Sequence, residues 1–509
     1  MALLTERYAN RLNGVLSCFD RIIIMGTLPG IGHAEGLTRY LTGEKVPLVD
    51  LSQFAKPLAE TIRRNAEAVA AEAGLTIEYI RSAKAFCKEE RIQGVLAKRG
   101  TAPGLVHIFS ALEPCAGFVV RRSEKGKWPL RYKESKCLHY YFYFIDPEFG
   151  LCYLRVPTFI PFRLQFYCNG HHWLANQLRH AGIDFTLLDN AFARIADVSR
   201  AQALADAFPV RRLHDRLDAL AAQFCPVIRR FGTYHWSIMQ VEYATDLMFQ
   251  RPEDLRPLYD GLVRTAIHAV KPDHVATFLG RKLTGSYAQE LGNDFHTRVE
   301  GTRIKHHMGP VAIKLYDKQA RVLRIETTAN DVSFFRHHRT VEHRDGRPKD
   351  TKLAPVQKTI YSLSVLQGLF RAANERYLAF LSELADPSAG VQAVQRLAAP
   401  TTKEGRRSPG FNLFATQDLI LFQALARGEW TISGLQNTWL RRHLNGLNGP
   451  QVSRLLRRLR DHGLIKKIGH TYRYHLTPLG RQVGITALKL RELVVIPSLA
   501  HLLPAPSVS

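Results

Sequence analysis

Apolar residues along this chain alternate between helical and strand spacing in separate blocks. Residues 52–74 carry Ala, Leu and Ile at helical spacing, with Gly74 as a stop, and predict a long helix. On either side lie Arg21–Thr27, a short buried strand ending in a Gly/Pro turn, and a strand over Thr76–Ile80. Strand, helix, strand predicts a parallel pair. Further on, Cys137–Ile145 is dense in aromatic and β-prone residues. A turn at Asp146–Gly150 and the return over Leu151–Val156 predict a hairpin. A third block predicts a strand over Tyr234–Thr245, a helix at 254–270 and paired strands at 311–317 and 321–328. One or two helices follow in 355–385. Ala398–Gly410 (AAPTTKEGRRSPG) has no apolar periodicity and reads as a linker.

The last block has the sharpest pattern. Leu455, Leu456 and Leu459 form an apolar helical face, crowded by Arg454, Arg457, Arg458 and Arg460. Gly463 stands where a left-handed helix stop is expected. Leu464–Ile468, a turn at Gly469-His470 and Thr471–Leu476 predict a basic β-hairpin bearing Lys466, Lys467 and Arg473. Helix followed by basic hairpin is the layout of a winged helix-turn-helix, whose second helix enters the major groove of DNA.

These patterns divide the chain into an α/β domain (1–110), an aromatic, mostly β region (111–195) and a helical connector (196–230). An α+β central domain (231–345), a helical segment (346–397), the linker (398–410), a winged helix-turn-helix (411–492) and a tail (493–509) complete it. The expected fold class is multidomain α/β and α+β with a C-terminal winged helix-turn-helix. A chain of 509 residues is too long for one core by the usual domain size.

Charge sharpens the functional reading. Formal net charge is +25, from 70 Lys/Arg against 45 Asp/Glu. The excess is not confined to the C-terminal part, so a polyanion is the expected partner, nucleic acid before anionic membrane. No apolar run is long enough to span a bilayer. The first residues carry charges where a signal peptide has its apolar core, so a cytoplasmic location is expected. Seven cysteines, an odd count, fit reduced thiols better than a disulfide frame. No membrane partner is expected, and an oligomer is compatible with the sequence.

The stretch Leu455–Ile465 (LLRRLRDHGLI) resembles the recognition helix and wing entry of MarR-like bacterial regulators, over roughly 410–490. That resemblance implies duplex DNA binding through Arg454, Arg457, Arg458, Arg460, Lys466, Lys467 and Arg473. The whole chain is also similar to long bacterial proteins labelled only by such a winged helix. Residues 161–173 mix Arg, Gln, Asn, His and aromatic residues. Arg163, Tyr167 and Trp173 are candidates for contact with unpaired bases, against the alternative of a buried aromatic core.

The phrase Ile313–Glu326 resembles the "YDK … LRxE" hairpin of rolling-circle plasmid and filamentous phage replication initiators, in Tyr316, Asp317, Lys318, Leu323, Arg324 and Glu326. The resemblance implies strand nicking by a Tyr and a divalent metal. Glu242, Asp317 and Glu326 are then the metal ligands and Tyr316 the nucleophile, with magnesium or manganese as the cofactor. Asp246 is an alternative on the strand of Glu242. The His-hydrophobic-His signature of many such nickases is absent, since His306-His307 and His337-His338 are adjacent pairs. Cys115, Cys137, His139, Cys152, Cys168, His171 and His172 cluster in sequence, but without a Cys-x₂-Cys pair zinc is not expected. The Gly-rich segment 26–36 lacks the ending of a P-loop.

The leading expectation is a nucleic-acid-binding protein of a mobile element, plasmid or defence locus. It would hold duplex DNA by the winged helix and single-stranded DNA or RNA elsewhere, with metal-dependent nicking. The alternatives are a non-enzymatic regulator with a large sensing or oligomerisation region, and an RNA-binding scaffold.

Overall fold

The computed structural model describes residues 3–496, apart from 82–85, 123–127, 282–294, 301, 343–348, 385–386, 404, 427–433, 445 and 470. In chain order the strands of residues 1–385 begin with β1 (Leu12–Thr27), β2 (Ile77–Ile80), β3 (Gly104–Val120) and β4 (Leu130–Asp146). Next come β5 (Gly150–Pro157), β6 (Leu164–Asn169), β7 (Phe185–Leu188) and β8 (Ala191–Ile195). The later strands are β9 (His235–Phe249), β10 (Phe295–Glu300), β11 (Arg303–Met308), β12 (Val311–Lys318), β13 (Val322–Ala329) and a separate antiparallel pair, β14 (Arg336–Val341) and β15 (Asp350–Pro355).

Eleven of them form one sheet in the order β10-β11-β12-β13-β9-β1-β6-β5-β4-β3-β2. Every neighbouring pair is antiparallel except β2 and β3. β1 lies at the junction, paired to β6 on one side and β9 on the other. The expected division at 110, 195 and 230 is therefore corrected: the first and central blocks share one sheet and fold as one unit, residues 1–385. Likewise β1 and β2 are not partners, because β2 pairs in parallel with β3 at the far edge. The expected hairpins β4–β5 and β12–β13 are present.

The two sheet faces differ in chemistry. One is apolar, with Phe19, Ile22, Phe166, Phe142, Ile313 and Ile325 fully or almost fully buried. Helices Leu363–Leu384, Val198–Asp206 and Val210–Phe224 belong to this core, and Phe224 stacks on Phe142 at 4.4 Å between ring centroids. Burial of that face supplies the driving force that joins the strands. The other face is polar and aromatic, because strand residues alternate sides. Helix Lys88–Arg99 packs on it over β3 and β4 through Ile92, and the tight β7–β8 turn at Asp189-Asn190 reaches over β1 and β13.

Residues 386–509 form a second unit with its own core. Its elements include helices Pro387–Ala398, Thr416–Ala426, Asn437–His443, Gly449–Asp461 and Pro478–Leu490, and strands Ile465–Lys467 and Tyr474–Leu476, which form an antiparallel hairpin. Gly463 has φ +73, the left-handed stop expected after the arginine-rich helix. The expected linker at 398–410 is corrected. Thr401–Lys403 pairs with Arg406–Ser408, and Ser408 donates to the buried carboxylate of Asp461 at 2.7 Å. Its polar residues are used in a hairpin fastened to the arginine-rich helix.

Candidate metal and nucleic-acid site

Cross-strand pairing brings the charged residues of three strands onto the polar face. Lys314 pairs with Glu326 and Tyr316 with Arg324, across β12 and β13. Arg324 pairs with Asp246, and Thr328 with Glu242, across β13 and β9. Opposite Glu242, β1 makes an irregular step between Phe19 and Ile22, so that Asp20 and Arg21 both occupy that place. Such a bulge re-aims side chains and is common beside functional sites. It turns Asp20 toward the cluster.

The next helix brings in His171. Asn169 caps its N-terminus, accepting from the backbone N–H of His171 and His172 at 2.9 and 3.2 Å. A Cβ at Gly170 would collide with the carbonyl of Phe19, so only glycine lets this helix abut β1. His171 thereby lies between Asp20 and Asp246, with its nitrogens 3.3 Å from an oxygen of each.

Two ion-pair groups result. In the deeper one, Arg324 holds Asp246 through Nε and Nη2, both at 2.7 Å, reaches Asp20 at 3.1 Å and donates to the Asn190 carbonyl at 2.7 Å. Asp20 also accepts from the side chains of Asn169 at 2.7 Å and Asn190 at 2.8 Å. In the second, Lys314 bridges Glu326 and Glu242, at 3.0 Å from the latter, while Tyr316 donates to Glu326 at 2.6 Å. Thr328 donates to both glutamates at 3.3 Å.

Burial works to raise the pKa of Asp20, but Arg324, His171 and Asn169 outweigh it and hold the carboxyl well below its usual range. Asp246 is lowered in the same way, chiefly by Arg324. Glu242 goes up instead, through burial and the charge of Glu326. Burial opposes the charge on Lys314, yet Glu326 and Glu242 keep its pKa raised. The Tyr316 phenol is pushed up, first by burial and then by Glu326.

Asp20, Glu242 and Glu326 each offer a carboxylate oxygen, and these oxygens lie within 4.8 Å of one another. Three buried carboxylates are a hard oxygen donor set that could hold a divalent cation. Lys314 already supplies positive charge there, so an added cation would share Glu242 and Glu326 with it.

The expected site is thus partly reproduced and partly corrected. Glu242, Glu326 and Tyr316 come together. Asp317 does not: it follows Tyr316 on β12, pairs with Leu323 and faces the opposite side. Asp20 takes its place. The sign was available, since an Asp inside the apolar stretch Cys18–Ile24 is costly to bury without a partner. Of the cysteine and histidine candidates, His171 joins the acidic cluster, Cys137 Sγ lies 3.9 Å from the His139 ring, and Cys152 and Cys168 are fully buried.

Among the expected base contacts, Tyr167 lies half-buried on the polar face, paired with Tyr153. Trp173 is a correction: it is buried and packs edge-on against Phe208 at 4.9 Å, so it belongs to the core. Arg163 is half-buried and donates to the Gly32 carbonyl at 3.2 Å. In the second unit, Arg454 and Lys466 are exposed, and Arg457, Arg460 and Lys467 are half-buried. Arg473 is exposed in the hairpin. Arg458 is a correction, because its guanidinium grips Asp418 at 2.7 and 2.9 Å and lies 3.9 Å from the Phe411 ring centroid. It fastens helices together and is not available to DNA.

No family model, curated protein or solved structure matches this chain. No helix among the described residues is long and apolar enough to cross a membrane.

Proposed function

We propose that this chain binds nucleic acid through both units and cuts a single strand at the polar face of its large sheet, with a divalent metal. The observation that carries the proposal is the convergence of Asp20, Glu242 and Glu326 from three neighbouring strands. A magnesium or manganese ion held there would polarise the scissile phosphate. Lys314 would offset phosphate charge, and Glu326, accepting from Tyr316, is placed to take the phenolic proton. Arg324 and His171 act through Asp20 and Asp246, holding the acidic strands at a fixed spacing. In this reading the helix Gly449–Asp461 and the hairpin after it act as a winged helix-turn-helix. Arg454 and Lys466 then neutralise duplex phosphates.

The saturated pairing of Lys314 with two glutamates favours a second reading, in which the cluster is structural and the chain binds without cutting. Incubating the purified protein with its co-purifying strand and manganese separates the two. Cleavage by the wild type and not by Glu326→Gln supports the site, and an intact strand supports binding alone.

A further inference from the structure

Beside the acidic cluster the same sheet face holds a cleft of about 520 Å³. Ligand pockets usually fall between about 300 and 1,000 Å³. Its floor is a row of three tyrosines, Tyr143, Tyr153 and Tyr167, from successive strands β4, β5 and β6. The Tyr153 and Tyr167 rings are stacked, 5.1 Å apart and 9° from parallel, and Tyr143 follows at 5.2 Å. Both Tyr153 and Tyr167 are half-buried and line the cleft.

The wall toward the acidic cluster is polar. It consists of Arg21, Asn169 and Asn190. Both asparagines donate to Asp20, and Arg21 lies 3.9 Å from Glu242. The Arg21 guanidinium also stands 5.9 Å from the Tyr167 ring centroid. Cleft and carboxylates therefore share side chains, with no element between them. Opposite, helix Lys88–Arg99 lines the cleft with Glu89, Glu90 and the amide of Gln93.

We propose that this cleft receives one unpaired nucleobase of the strand whose phosphate lies at Asp20, Glu242 and Glu326. The assignment of that phosphate rests on the function proposed above. Flat aromatic surface recognises any base by stacking, and amides hydrogen-bond to base edges. A base whose own phosphate reaches the neighbouring carboxylates uses both halves of the site, and explains why the aromatic row stops where the charges begin.

The test uses the full chain and a labelled single strand of about twelve nucleotides, made as DNA and as RNA, read by fluorescence anisotropy without metal. Tyr153→Ala and Tyr167→Ala are each expected to weaken binding about tenfold, and Tyr→Phe at either position to stay within about twofold. In parallel, the wild type is titrated with strands made abasic at each position in turn. One position should reproduce the tenfold loss, with no further loss in the alanine variants. A loss in either sugar series supports the pocket and tells which strand it prefers. Equal affinity of the wild type for intact and every abasic strand in both series overturns it, and that comparison holds even if an alanine variant does not fold. If the tyrosine effect persists while the wild type never cuts, the pocket stands and the cutting reading alone falls.

Discussion

Arg324 and Asp246 face each other across β13 and β9 and are joined by two hydrogen bonds of 2.7 Å, with both side chains almost wholly shielded from water. Asp20 takes a third contact on the same guanidinium at 3.1 Å. Two carboxylates from separate strands thus share one guanidinium. The pair is the keystone that fixes β1 and β13 on either side of β9.

Arg324→Met is therefore expected to destabilise the large unit by about 3–5 kcal/mol, because two buried carboxylates lose their guanidinium partner. Urea unfolding followed by circular dichroism checks it. The sign with pH follows from the lowered aspartate values. The stabilisation is complete above the unfolded aspartate value of about 3.9 and is lost as pH falls through the folded values. Stability should then hold from neutral pH down to that range and drop below it.

Metal binding should show the opposite kind of shift. Glu242 must be ionised to act as a ligand, and burial together with Glu326 raises its pKa. Manganese affinity is expected to fall off on acidification at a higher pH than an ordinary glutamate gives. Isothermal titration over a pH series measures the midpoint. Lys314→Met should strengthen manganese binding at neutral pH, since the competing ammonium is gone.

Two arginines one turn apart should behave differently. Arg454→Ala is expected to leave the fold intact and to lower duplex affinity, with the log–log salt slope reduced by about one. Arg458→Ala should instead cost about 1.5–3 kcal/mol of stability in the second unit, through loss of its charged hydrogen bonds to Asp418. Salt-dependent anisotropy and thermal unfolding read the two effects separately.

Proteolysis tests the position of the unit boundary. The 398–410 segment forms a hairpin whose Ser408 is tied to Asp461, and the second unit begins at residue 386. Limited trypsin digestion should leave Thr401–Ser408 attached to the C-terminal fragment. A fragment starting at residue 404, 407 or 408, from a cut after Lys403, Arg406 or Arg407, would restore the linker reading.

The parts legible in the sequence were those set by local chemistry. Gly463 marked a helix end because a left-handed backbone favours glycine, and the β12–β13 hairpin followed from two short apolar runs. Tyr316 and Glu326 were found through the resemblance of the 313–326 phrase to replication initiators, and Glu242 on the predicted strand upstream of it. What stayed hidden depends on pairing between distant strands. β1 and β9 are more than two hundred residues apart, so their union, the bulge at Asp20-Arg21 and the approach of Asp20 to Glu242 leave no local trace. Trp173 falls in helix Gly170–His180, whose inner side joins the core; Asp317 was misplaced for a different reason. Which face a side chain takes depends on register, and one step along a strand reverses it.

The most direct test of the central claim is a cleavage assay on the nucleic acid that co-purifies with the full chain, with manganese, for the wild type and Glu326→Gln. The account predicts cutting by the wild type and loss of at least about a hundredfold in rate for Glu326→Gln, whose missing charge weakens both the metal site and proton removal from Tyr316. A denaturing gel should also show protein attached to the cut end if Tyr316 is the nucleophile. An intact strand in magnesium and in manganese, or equal cutting by Glu326→Gln, would contradict the site at Asp20, Glu242 and Glu326.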